Sequence, residues 1–236
     1  MSSGHNSHSL AQSLMDRERE RLCDLELRSL LAEQARQQAH RLRTPLNVIT
    51  LITETLQLES PDDPAVSDRL RRLLTSVLTL TNCLSDAVSS TRFCDGPPQR
   101  CDAVALAARV VGVFGGRVSV REGEAEMSGF SGPYVFLERN SFEAALVHAL
   151  RLVGIRAYRG GTRANRPLLQ WHRTAAGLRL DLSIEGPQTP EVPGERADLQ
   201  LMEMAAERTA RDIGGVLSIA EATARFELPL APAADS

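Results

Sequence analysis

Apolar positions recur at helical spacing from Leu10 to Leu58, a stretch with no glycine and a single proline, Pro45. Leucine, glutamine, glutamate, arginine and alanine fill the rest, all good helix formers, so the pattern predicts one long helix bent once near Pro45. Its upstream part is charged, with interspersed leucines, and suits a coiled-coil lead-in. Further on, Leu42, Leu46, Ile49, Thr53 and Leu56 are spaced alternately four and three apart, which is an a/d seam. His40, Arg43, Thr44 and Asn47 follow the i, i+3, i+4, i+7 rule on a different, polar face. The breaker cluster SPDDPAVSD ends this helix and starts another. From Pro64 to about Ser90 the second helix places Leu70, Leu74, Val77, Leu80 or Thr81, Leu84 and Val88 on one stripe. Two helices with one seam each cannot bury those seams alone, so the hairpin predicts a homodimer built as a four-helix bundle.

The periodicity changes after CDGPPQR, residues 94–100, which reads as a linker. RVSVREGE, PYVFLE, PLLQWHRT, LRLDLSIEG and ARFELPL read as strands, several alternating with period two. DAVALAARVVGVF, NSFEAALVHALRLVGIRAY and LQLMEMAAERTARDI read as helices. The expected organisation is a disordered polar N-terminus over 1–9, a helical hairpin over 10–93, the linker, and an α+β sandwich over 101–232 with helices on one face of the sheet.

Composition narrows the function more than the fold. With 236 residues, 42% of them hydrophobic, and a net charge of −3, the chain offers no electrostatic footprint for nucleic acid or an anionic membrane. Aromatics at 4% leave no base-stacking platform. Cys23, Cys83, Cys94 and Cys101 form no CxxC pair and read as structural thiols of a reducing compartment. No apolar run reaches the ~20 residues of a membrane span, and MSSGHNSHS lacks the layout of a signal peptide, so a cytoplasmic location is expected.

AHRLRTPLNVI resembles the phosphoacceptor box of two-component sensor histidine kinases. His40 falls on the phosphorylated histidine, and Leu42, Arg43, Thr44, Pro45 and Leu46 match directly. The resemblance implies a dimerisation and histidine-phosphotransfer hairpin followed by an ATP-binding sandwich ending in a strand like FELPLA. It implies His40 as phosphoacceptor, with Thr44, Arg41 and Arg43 as the other candidate site residues. The family's acidic residue after the histidine, its proposed general base, is replaced by Arg41, which cannot accept a proton but could hold a phosphate.

Three nucleotide signatures that the resemblance implies are degraded. On NSFEAALVHALRLVG the two asparagine positions hold His148 and Leu152, and an apolar residue cannot ligate Mg²⁺. On LSIEGPQTP, Ile184 replaces the adenine-reading aspartate and Gln188 the following glycine, although Gly186 and Pro187 are kept. ADLQLMEMAAERTARDIGG has no glycine between Gly194 and Gly214 to bring backbone N–H groups to a phosphate. No ATP, other cofactor or metal is therefore expected. His148 and His172 read as structural histidines; Arg69, Arg71 and Arg72 read as a solvated face that could also help dock an acidic regulator.

The resulting expectation is phosphotransfer through His40, to or from a response regulator receiver domain or a hybrid histidine kinase, with no ATP binding of its own. That demands only an imidazole nucleophile on this side, the acceptor carboxylate and metal belonging to the partner. Two alternatives stand beside it: a non-catalytic regulator that binds a kinase or response regulator through the hairpin, and a divergent autokinase.

Overall fold

The computed structural model describes residues 3–59, 63–90, 96–120, 134–157, 166–175, 177–185, 196–220 and 222–231. They fall into two compact units, 31–93 and 1–30 together with 94–236.

The 31–93 unit is a helical hairpin. Its first arm belongs to α1, Ser3–Glu59, which runs through Pro45 as a helix. The helix already begins at Ser3, within the stretch for which composition predicts disorder. The second arm is α2, Pro64–Ser90. Its start follows from the sequence: Pro64 has no N–H to leave unsatisfied, and Asp63 accepts hydrogen bonds through Oδ1 from the amides of Ala65 (2.9 Å) and Val66 (3.1 Å).

The seam read from the sequence divides between two faces. Leu46, Thr50, Thr53 and Gln57 are covered, Thr53 to 3% exposure, while Leu42 (50%), Ile49 (41%), Ile52 (53%) and Leu56 (43%) stay in water. Thr53 tolerates its burial because its hydroxyl donates to the Ile49 carbonyl at 2.7 Å. On α2 the covered stripe is Leu70, Leu74, Val77, Thr81, Leu84 and Val88, which resolves the alternative in favour of Thr81. Leu73 and Leu80, seven apart, are exposed. Each arm thus carries one stripe inside the hairpin and a second apolar stripe outside it.

The other unit is α+β. In chain order it holds β1 (Gln99–Asp102), α3 (Ala103–Val113), β2 (Arg117–Val120), β3 (Tyr134–Leu137), α4 (Arg139–Ala157), β4 (Arg166–Thr174), β5 (Gly177–Glu185), α5 (Arg196–Asp212), β6 (Val216–Ala220) and β7 (Thr223–Leu228). Five strands form a sheet in the order β2-β4-β5-β7-β6, with β2 parallel to β4 and the other pairs antiparallel; β1 and β3 pair antiparallel by themselves. β1 and β6 are strands that the alternation reading did not assign, and both are short. Alternation places Leu169, Trp171, Leu178, Leu180, Leu182, Ala224, Phe226 and Leu228 in the core. The opposite side of the sheet is polar and laced by Arg225–Asp181 (2.7 Å) and Arg179–Glu227 (2.9 Å) ion pairs.

α4 is the central helix. Glu138 caps it, accepting from the amides of Asn140 (3.0 Å) and Ser141 (2.6 Å). Phe142 meets Phe226 of β7 edge-on at 6.2 Å between ring centroids. α3 and α5 both leave through paired glycines. Gly115 and Gly214 take positive φ (74° and 73°), and a Cβ on Gly116 would lie 2.5 Å from the Pro167 carbonyl oxygen.

Candidate functional site

His40 stands exposed on α1, and Arg41, Arg43 and Thr44 beside it are exposed too. Spacing of three and four brings Arg43 and Thr44 onto the histidine's flank, about 5–6 Å away at Cβ. Arg41 points about a quarter-turn further round. Behind the histidine, Ala39 is buried. The four residues singled out in the sequence therefore share one solvent-facing stretch of helix.

Its electrostatics are one-sided. From Gln34 to Thr53, α1 carries no acidic residue. Upstream arginines have carboxylates: Arg28 pairs with Asp24 at 2.7 Å and Arg36 with Glu33 at 3.0 Å. Arg43 instead donates to the Ser85 hydroxyl of α2 at 3.3 Å, and that hydroxyl donates onward to the Thr81 carbonyl at 3.0 Å. Ser85 drew no attention in the sequence, because only the pairing of the two arms brings it to Arg43.

The positions where the resemblance implies nucleotide ligands look different. His148 is fully buried in α4, its Nε2 3.1 Å from the Ser29 hydroxyl, with Glu26 Oε1 3.8 Å from its Nδ1. Burial, with Arg151 nearby, drives its pKa down to about 3, so it is a neutral imidazole across the ordinary pH range. Burial pushes the Glu26 carboxyl upward against the pull of Arg151, whose Nε lies 2.7 Å from Glu26 Oε2. Leu152 (0% exposed) and Ile184 (8%) are core residues. Gln188 and the stretch 186–195 lie outside the described residues.

The segment of α1 from Glu18 to Ser29 packs here. Leu22 is buried, and Arg21 reaches the fully buried Glu143 of α4 at 2.5 Å. Glu143 also takes Arg109 of α3 and, at 3.0 Å, Arg139. Segment 18–29, read from the sequence as a lead-in to the hairpin, is by contact part of the α+β unit. Glu18, Glu26 and Ser29 are thus structural partners that sequence reasoning missed; the signal available was the charge density of RERERLCDLELRS.

His172 is half-buried on β4. Cys23, Cys83 and Cys101 are free thiols. Among the described residues no group of histidines, cysteines and acids is placed to hold a metal ion, and no helix is long and apolar enough to cross a membrane.

The sequence matches no protein-family model and no curated protein. Among solved structures the chain is similar to a histidine kinase from Burkholderia phymatum, at 16% identity and a TM-score of 0.49 over 91% of this chain and 98% of that one. It is similar to the histidine kinase AdeS of Acinetobacter baumannii at 14% identity and a TM-score of 0.40, over 83% of this chain and 98% of the other. The ATP-binding domain of PrrB from Mycobacterium tuberculosis aligns with 58% of this chain and 99% of its own, at 14% identity and a TM-score of 0.40. These structural neighbours are histidine kinase domains.

Proposed function

We propose that this is a histidine kinase-like protein of two-component signalling, carrying phosphate on His40 to or from a response regulator receiver domain, without binding ATP. The observation that carries the reading is the box from His40 to Leu46, which keeps six of its seven positions and presents the imidazole to solvent. A phosphotransfer histidine needs exposure and a rigid support. Arg41 at the position of the family's acid suits a carrier better than an autokinase, because a guanidinium attracts phosphate and cannot remove a proton. Leu152 and Ile184 support the missing nucleotide, since each is an apolar core residue where a metal ligand and an adenine acceptor are implied. The reading includes a homodimer through the outer stripes of the hairpin and a cytoplasmic location.

The test is labelling from a phosphorylated receiver domain or hybrid kinase. One acid-labile phosphate per chain is expected, abolished by His40→Ala and unaffected by His172→Ala, and calorimetry with Mg-ATP should register no binding. Tight regulator binding without label transfer would favour a scaffold, and a micromolar ATP affinity would favour an autokinase.

A further inference from the structure

Among the described residues, Arg43 is the arginine of the box that a side chain of the opposite arm holds in place. Its guanidinium has no carboxylate among its hydrogen bonds and ion pairs in the described residues; it is held by a neutral oxygen, Ser85 Oγ, from the other arm of the hairpin. The Ser85 hydroxyl spends its single proton on the Thr81 carbonyl, which turns a lone pair toward Arg43 and leaves the hydroxyl an acceptor. A tether of this kind fixes a cation without neutralising it. An ion pair such as Arg36–Glu33 one turn upstream does the reverse. The acid-free stretch from Gln34 to Thr53 keeps the charge uncompensated along α1 as well.

We propose that Ser85 is a positioning residue for the phosphoryl group on His40, acting through Arg43. Residue 43 lies one turn from residue 40 and on the side of α1 turned toward α2, so a guanidinium anchored on Ser85 borders the space that a phosphoryl group on the imidazole occupies. Planar, multiply donating guanidinium suits phosphate oxygens, and holding it beforehand removes the entropy that a free arginine loses on binding them. This rests on the phosphoacceptor reading of His40 and extends it to α2.

Labelling with potassium phosphoramidate tests it without any partner protein. The imidazole nitrogen attacks phosphorus, the P–N bond of the reagent breaks, and the imidazole proton leaves with ammonia. Rates are compared for the full chain, Ser85→Ala, Ser85→Thr, Arg43→Ala and the Arg43→Ala/Ser85→Ala double variant, alongside thermal midpoint and oligomeric state. Ser85→Ala should slow labelling of His40 about threefold, the scale of one exposed charged hydrogen bond, with Ser85→Thr restoring the rate. Arg43→Ala should slow it more, and Ser85→Ala should then add nothing, because the serine acts only through the arginine. Wild-type labelling rates in Ser85→Ala, additive losses in the double variant, or slowing that tracks a lowered melting midpoint would overturn the assignment while leaving His40 as acceptor. No label on His40 in the unaltered chain would remove both.

Discussion

At His148 an imidazole is enclosed beside Ser29 and Glu26, and protonating it there costs more than protonating it in the unfolded chain. Its folded pKa, about 3, lies below the ordinary 6.5. In the window between these values the unfolded state binds the extra proton, so stability is full above 6.5 and falls as pH drops toward 3. Taking pH from 7 to 5.5 should cost about 1 kcal/mol through this one group. Glu26 works in the other direction: its raised pKa favours the folded state at low pH and loses that effect as pH rises through it. Denaturant titrations at the two pH values, on the wild type and His148→Gln, separate them. The variant should have the flatter profile, and an unchanged slope would mean that His148 is not enclosed as described. His40 stands in water on α1, and this contrast in surroundings separates the two histidines. The sequence alone tells them apart only through the neighbours of His40, since nothing in LVHALR says which side of its helix is covered.

The helices of the hairpin are where local pattern and tertiary outcome diverge most usefully. An alternating three-and-four spacing identifies an apolar seam, but a helix in a bundle faces two neighbours, and spacing does not divide one seam between them. Here Leu46 and Thr53 go inward with Val77, while Leu42, Ile49, Ile52 and Leu56 form an outer stripe alongside Leu73 and Leu80 on the second arm. That outer stripe is the surface the proposed homodimer buries. Ile49→Arg, at its middle, should dissociate the dimer to a ~26 kDa species without loss of hairpin helicity. Thr53→Val, facing inward, should leave the dimer intact. Light scattering and far-UV circular dichroism read the two properties, and an Ile49→Arg dimer of wild-type affinity would place the interface elsewhere. The strand readings depended on context as well as length, since four-residue β2 and β3 are legible from their alternation. Nine-residue β4 and β5 alternate long enough to be seen, whereas β1, four residues, straddles the end of the predicted linker at residue 100, and β6, five residues, follows a helix end marked only by its glycine pair.

On the scale of the whole chain, two units share one continuous helix, because α1 contributes residues up to 30 to the α+β unit and residues from 31 to the hairpin. Helix propensity carries the sequence across that boundary without a break, which is why composition alone gives no hint of it. What separates the units is what their helix faces bury. Up to residue 30 the contacts run to α3 and α4 through Glu18, Arg19 and the cluster at Glu143; beyond it they run to α2. Such units should unfold by different rules. The α+β unit has its own core and should denature at a midpoint independent of protein concentration. The hairpin leaves an apolar stripe on each arm, so its stability should include association and rise with concentration. Trp171, the only tryptophan, is buried on β4 and reports the α+β unit alone. Urea titrations at several protein concentrations should therefore give a fixed tryptophan fluorescence midpoint. A second transition in far-UV circular dichroism should move to higher urea as protein is added, and Ile49→Arg should remove that movement. If fluorescence and dichroism coincide at every concentration, the shared helix couples the two units into one cooperative transition, and the separate-unit description fails.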